Sequence, residues 1–308
     1  MSRARLTAVA LIAACFVALA AVNRCIGATT RPAATSPSTA AATNPTSDDY
    51  KLVWADEFNV DGPLGAKDWS FEQGFVRNQE LQWYQPDNAV CTGGNLVIEA
   101  RREEKPNPRY RAGSTQWQTS RQNIEYTSAS VNTRGKHSWL YGRFETRAKI
   151  DTRAGSWPAF WMLGNTGGWP ANGEIDIMEY YKNGLLANFA WAGPNGTQKW
   201  NSSRKPLTAL ATDWASQFHV WRMDWDEKTI KLYCDDALLN SQDVSKSINP
   251  NGVNPFHAPM YILFDLAIGG QSGGDPTNTT FPVRFEIDYV RVYQRPSQIA
   301  AATTRPAS

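Results

Sequence analysis

Several stretches of this chain alternate apolar and polar residues with a period of two, and that rhythm commits it to β-structure. Phe144, Thr146, Ala148 and Ile150 alternate with Arg143, Glu145, Arg147 and Lys149. His219, Trp221, Met223 and Trp225 alternate with Val220, Arg222, Asp224 and Asp226. Side chains of a strand point alternately to its two faces, so each stretch reads as a half-buried strand. A polar turn at 226–228 leads into Ile230, Leu232 and Cys234, which predicts a hairpin. Residues 95–100 and 285–293 read as further strands. Helical periodicity is scarce, and the one candidate, 207–214, is short and weak. Many short strands with Gly and Pro turns predict an all-β sandwich of antiparallel sheets. No repeat of 20 to 50 residues suggests a propeller.

The strand patterns fill residues 50–295, enough chain for one large β-domain with a core that needs no disulfide. The whole chain has 308 residues, with 31 basic and 29 acidic side chains. That balance gives no electrostatic case for nucleic acid. Residues 1–28 read as an export signal: Arg3 and Arg5, an apolar run over 6–22, then small residues at Gly27 and Ala28. The run is also long enough for an uncleaved anchor, and Ile12-Ala13-Ala14-Cys15 resembles a lipoprotein box. These features predict a secreted or cell-envelope protein. Residues 29–49, rich in Ala, Thr, Pro and Ser, read as a flexible linker, and 296–308 as a disordered tail of like composition. Cys91 and Cys234 lie in strand-like segments, where a disulfide and two buried thiols are equally consistent with the sequence.

Within this frame, Glu174, Asp176 and Glu179 fall in six residues, among Ile175, Ile177 and Met178. On a strand Glu174 and Asp176 share a face, and Glu179 points the other way. A β-bulge near Met178 restores the register and gathers all three. Three like charges on one face are costly in a core but tolerable in a wet cleft. Retaining glycosidases need two such carboxyls about 5 to 5.5 Å apart. An exposed acidic strand and a divalent-metal site remain alternatives at this point.

Gly173-Glu174-Ile175-Asp176-Ile177-Met178-Glu179 resembles the bulged E-x-D-x-x-E signature of glycoside hydrolase family 16, in its laminarinase-like branch. The likeness extends to Trp54-Ala55-Asp56-Glu57-Phe58, to residues 78–84, to Tyr141-Gly142-Arg143-Phe144-Glu145, to 157–163 and to 287–293. It implies a β-jelly roll with a concave cleft and endo-acting, retaining hydrolysis of a β-linked polysaccharide. By position, Glu174 would be the nucleophile, Glu179 the general acid/base, and Asp176 a partner of the nucleophile. The resemblance implies no cofactor for catalysis. It does imply a structural Ca²⁺ held by the Glu57 carboxylate, the Gly94 carbonyl and the Asp288 carboxylate, an oxygen set suited to a hard cation.

Thirteen Trp all follow residue 50. Indoles stack on the apolar faces of sugars while their N–H finds a partner. Trp54, Trp221 and Trp225 fit core packing, being in strong strand patterns. Trp157, Trp161 and Trp169 match cleft positions of the family, and Trp83, Arg77, Asn78 and His219 are further candidates for substrate contact. Trp191 and Trp200 stand in a less familiar Gly- and Asn-rich stretch. Asp265 departs from the Asn expected there in laminarinases. The resulting expectation is a monomeric hydrolase of β-1,3- or mixed β-1,3/1,4-glucan. An agar-type galactan hydrolase or transglycosylase on the same fold, and a non-catalytic sugar-binding jelly roll, are the alternatives.

Overall fold

The computed structural model describes residues 49–303; the segment read as an export signal and most of that read as a linker lie outside them. Two sheets face each other. The inner sheet has seven strands in the order Gln198–Pro206, Gly184–Ala192, Glu174–Tyr181, Ser156–Gly164, Met260–Ile268, Ser130–Asn132 and Ser70–Phe71. The outer sheet is built on Ala237–Asp243, Thr229–Cys234, His219–Trp225, Gly142–Ile150, Val283–Gln294 and Asn95–Pro106, with shorter strands beyond. Pairing is antiparallel throughout, apart from the short parallel pair of Gln82–Tyr84 with Asn123–Ser128. This is the antiparallel sandwich that the alternation predicted, and the jelly roll that the resemblance implied.

The alternation decides which face is core. Phe144, Trp221, Met223 and Trp225 are fully buried, while their neighbours Arg143, Arg222 and Asp224 form ion pairs on the outer face. Phe264 of the inner sheet meets Phe285 of the outer sheet and Trp69, which precedes Ser70–Phe71, and Phe160 and Phe189 belong to the same buried cluster. The inner strands lack clean alternation because they are covered twice. Met260–Ile268 is buried at every position. One face packs in the core, and the other carries a second apolar cluster of Ala159, Trp161, Tyr261 and Leu263.

Several expectations are corrected. Residues 207–214 hold no α-helix, only single turns at Leu207–Ala209 and Trp214–Ser216. Pro206 and the scattered polar residues leave no continuous apolar stripe to dock. The tail is not disordered from residue 296: Pro296–Thr303 is a helix. Its composition resembles the linker, but a Pro opens it, three Ala favour it, and Gln298 is buried and accepts the Arg295 N–H. Cys91 and Cys234 are free buried thiols on strands of one sheet that four other strands separate. That spacing excludes a disulfide.

Candidate active site

Residues paired across neighbouring strands project from the same face, so the register states what the cleft floor is made of. Glu174 opposes Leu163 and Ala190, and Asp176 opposes Trp161 and Asn188. Glu179 opposes Ala159 and Leu186. Between Asp176 and Glu179 the register slips against both neighbours. The slip is a bulge at Ile177 and Met178. Both of these side chains lie in the core, and their adjacency lets Glu174, Asp176 and Glu179 all face the cleft.

The cleft encloses about 620 Å³, and its lining includes all three acids with Arg77, Asn78, Trp157, Trp161 and Trp169. Each catalytic candidate has its own indole. Trp169 Nε1 donates to Glu174 Oε2 at 2.6 Å, and Trp157 Nε1 donates to Glu179 Oε1 at 2.7 Å. Asn188 Nδ2 lies 3.0 Å from both Asp176 Oδ2 and Glu179 Oε2. Its Oδ1 is buried with no partner among the described residues, an acceptor left for something else.

Burial raises the proton affinity of all three carboxyls; repulsion by the two glutamates adds to it at Asp176, and repulsion by Glu174 and Asp265 adds to it at Glu179. The three are not equivalent. Glu179 is pushed up to about 8, by burial and by Glu174 and Asp265. Asp176, fully buried between two glutamates, is raised well above its ordinary range and shares a hydrogen bond with Glu174. A bond between two carboxyl groups needs a proton, and the shared bond favours the ionised form of Glu174, so Asp176 is its donor. Trp169 donates to Glu174 as well, and the Arg77 cation attracts it.

Beyond Trp161 lies a second polar network. Asp265 Oδ1 accepts from Trp161 Nε1 at 2.6 Å, and Oδ2 from Tyr84 Oη at 2.8 Å. Tyr84 Oη also lies 3.3 Å from Glu80 Oε2, which accepts from Gln82 Nε2 at 2.8 Å. Asn78 Nδ2 reaches Glu80 Oε1 at 3.2 Å. Arg77 pairs with Glu72 and stacks over Trp161, 5.0 Å from the ring centroid. Burial opposes its charge, but Glu72 and Asp265 hold it firmly cationic. Burial lifts Glu80 to about 7 and Asp265 to about 6. On the opposite side of the carboxylate strand the lining is aromatic. Trp169 and Trp200 stand half-exposed with ring centroids 6.3 Å apart.

Two substrate candidates fall elsewhere. Trp83 packs edge-on against Phe75 under the Arg109 guanidinium and does not line the cleft. His219 is buried in the outer sheet, stacked on Trp214 at 4.0 Å. Its Nε2 faces the Trp214 carbonyl at 2.8 Å and its Nδ1 the Asp235 carboxylate at 2.6 Å. Alternation with Trp221 put His219 on the core face, and that face belongs to the sheet opposite the cleft. Of the residues that the resemblance implies for calcium, both carboxylates pair with arginines in this arrangement. Glu57 takes a two-pronged bond from Arg291 at 2.7 and 2.8 Å, and Asp288 takes one from Arg147 at 2.6 Å. Both carboxylates therefore spend their charge on arginines.

The sequence reading missed Glu80, Asn188, Trp200 and Tyr84 as site members, and noted Asp265 only as a departure. Asn188 carried a signal, being the one polar residue of Gly184–Ala192, a strand buried along its length. Tyr84 and Glu80 carried none beyond their place in a short motif.

Residues 77–291 match the sequence profile of Glycosyl hydrolases family 16. A β-glucanase of Rhodothermus marinus is 35% identical over 268 residues, covering 80% of this chain and 85% of its own. The chain spans a smaller share, 34% and 39%, of two longer relatives. Among solved structures, the laminarinase catalytic domain of Thermotoga maritima superposes with a TM-score of 0.68 at 33% identity, covering 80% of this chain and 99% of its own. A structure from work on endo-acting O-glycanases of the human gut microbiota that initiate mucin breakdown gives 0.76 at 34%, with 84% and 95% covered.

Proposed function

The chain is a glycosidase that belongs to Glycosyl hydrolases family 16, and from that premise we propose that it cuts β-1,3- or mixed β-1,3/1,4-glucan internally, by double displacement with retention. The observation that carries the mechanism is the inequality of the two glutamates. Glu174 receives hydrogen bonds from Trp169 and Asp176 and the attraction of Arg77, all of which favour its anion. Glu179 is held protonated to about pH 8.

In the first step the Glu174 carboxylate attacks the anomeric carbon, and the glycosidic C–O bond breaks as Glu179 gives its proton to the leaving oxygen. The products are a glycosyl ester on Glu174 and a free sugar end. In the second step Glu179, now ionised, takes a proton from water as its oxygen attacks the same carbon, and Glu174 leaves as carboxylate. Asp176 keeps its proton throughout and relieves charge on Glu174 when the ester breaks. Arg77 Nη1 and Asn188 Oδ1, both unpartnered among the described residues, supply a donor and an acceptor for sugar hydroxyls on either side.

The test is proton NMR of early products from laminarin and lichenan. New reducing ends appear in the β configuration and at internal positions. Glu174→Gln and Glu179→Gln each lower kcat by about a thousandfold or more. Products of inverted configuration, or full activity in either variant, overturn the mechanism. A second reading, cleavage of an O-glycan or an agar-type galactan, is favoured by the TM-score of 0.76 to the O-glycanase structure and by Asp265 in the cleft, a departure from the Asn expected in laminarinases. Agarose and mucin O-glycans are its substrates for the same assay. The basic and then apolar N-terminus supports export of the enzyme to where such polymers are found.

A further inference from the structure

Past Asn78 the chain takes two consecutive non-glycine residues into the left-handed region, Asn78 at φ 53° and Gln79 at φ 52°. Each such residue costs about 1–2 kcal/mol, so the surroundings must hold the turn. Arg121 does so, its Nη1 donating to the Glu80 carbonyl at 2.5 Å and its Nη2 to the Gln79 carbonyl at 2.8 Å. The turn divides two surfaces. Asn78 lines the catalytic cleft, and Gln79 lines a second, open basin of about 560 Å³.

That basin is walled by Phe75, Trp117, Gln79, Gln116, Gln118 and Arg109, among others. Phe75 and Trp117 stand 5.9 Å apart at 56°, bracing each other, with Arg121 against both rings. Phe75 is anchored from below by Trp83 at 5.4 Å, so the platform is fixed before any ligand arrives. The loop that carries Trp117 is equally fixed. Buried Asn107 donates from Nδ2 to the carbonyls of Gln118 at 3.0 Å and Arg121 at 2.8 Å. An indole edge bordered by side-chain amides and hydroxyls, with no carboxylate in the wall and Arg109 its one charged group, is the chemistry of sugar recognition rather than of a cation.

We propose that this basin is a distal binding site for the same polysaccharide chain, occupied by the sugars that leave the cleft over Asn78. The inference rests on the β-glucan reading and adds to it a preference for long chains. A short oligosaccharide fills the cleft alone, whereas a polymer also covers Trp117 and gains residence time. Asn78 and Gln79 are adjacent in the chain, so the two surfaces border each other at this turn.

The test compares KM for laminarin with KM for laminaritetraose in wild type, Trp117→Ala and Gln116→Ala. Trp117→Ala is expected to raise KM on laminarin about tenfold, the scale of one lost ring-stacking contact, and Gln116→Ala about threefold, the scale of one lost hydrogen bond. KM on the tetramer and kcat on both substrates stay at wild-type values. Trp117 also touches Arg121, which braces the cleft turn; should Trp117→Ala impair the tetramer too, Gln116→Ala decides. A polymer-specific loss in Gln116→Ala upholds the site, and equal effects on both substrates, or none, overturn it. An active wild type with unchanged chain-length preference in both variants overturns the distal site alone. A wild type inert on laminarin and lichenan overturns the glucan reading and this site together.

Discussion

The two arms of the cleft leave the same carboxylate strand in opposite directions and are built on different physics. Toward Ser156–Gly164 and Met260–Ile268 the arm is ionic: Glu72, Glu80 and Asp265 surround the single cation of Arg77, with Tyr84 and Trp161 bridging. Toward Gly184–Ala192 and Gln198–Pro206 it is aromatic and open. There, Glu174, Ala190 and Trp200 lie in one row, and the small Ala190 leaves room above the floor. The ionic arm is held by bonds already made, so its donors and acceptors are oriented before substrate arrives. The aromatic arm offers surface, which binds any sugar with an apolar face. Orientation should therefore govern specificity in the first, and area should govern affinity in the second.

The sharpest way to break this contrast is to remove the cation. Arg77→Ala leaves three neighbouring carboxylates without their counter-charge, and about 3 kcal/mol of unfolding free energy should be lost near neutral pH, as read by urea denaturation. A loss confined to activity, with stability intact, would mean that the network is wetter than its geometry indicates. In the aromatic arm, Trp200→Ala should cost about 1–2 kcal/mol of binding, a five- to thirtyfold rise in KM, with kcat and stability nearly unchanged. An equal fall in kcat would place Trp200 in the transition state rather than on a platform.

A pH profile sharpens the ionic arm further. Burial raises Glu80 to about 7 and Asp265 to about 6, so the folded state binds protons that the unfolded chain releases. Stability contributed this way is full below the ordinary carboxyl range, near 4, and is lost as pH climbs through about 6 to 7. Asp265→Asn should flatten that decline and make the enzyme more stable than wild type at pH 8, seen as a higher melting temperature. Activity should fall on the alkaline side near pH 8, where Glu179 loses the proton that it must donate.

The smallest effect is expected on the outer sheet. His219 is raised by its bonds to Asp235 and the Trp214 carbonyl, which outweigh burial, and Asp235 is correspondingly lowered. The His219 contribution is present below about 6.5 and disappears as pH rises through its elevated folded value. His219→Gln should remove that step from the stability profile and leave KM untouched, which separates His219 from both arms.

Most of the fold was legible because strand periodicity is local. Gly142–Ile150 and His219–Trp225 announced the outer sheet, and the count of residues from Glu174 to Glu179 announced the bulge. The Ala-rich helix at Pro296–Thr303 was hidden by a composition shared with a linker. Trp83 and His219 were misplaced because a residue's motif or strand does not say which sheet face lines the cleft.

The sequence by itself determined the sandwich and the triad of acids, since the first follows from side-chain alternation in many strands and the second from residue spacing along one. Only the tertiary structure decided which groups answer them. Trp169, Asp176 and Arg77 favour the Glu174 anion against its burial, while at Glu179 burial and the charges of Glu174 and Asp265 outweigh the donors Trp157 and Asn188. Tyr84 and Asp265 meet across 181 positions of chain. Such pairings depend on strand register between distant segments, and with it on how deeply each carboxyl is buried; no local pattern encodes either.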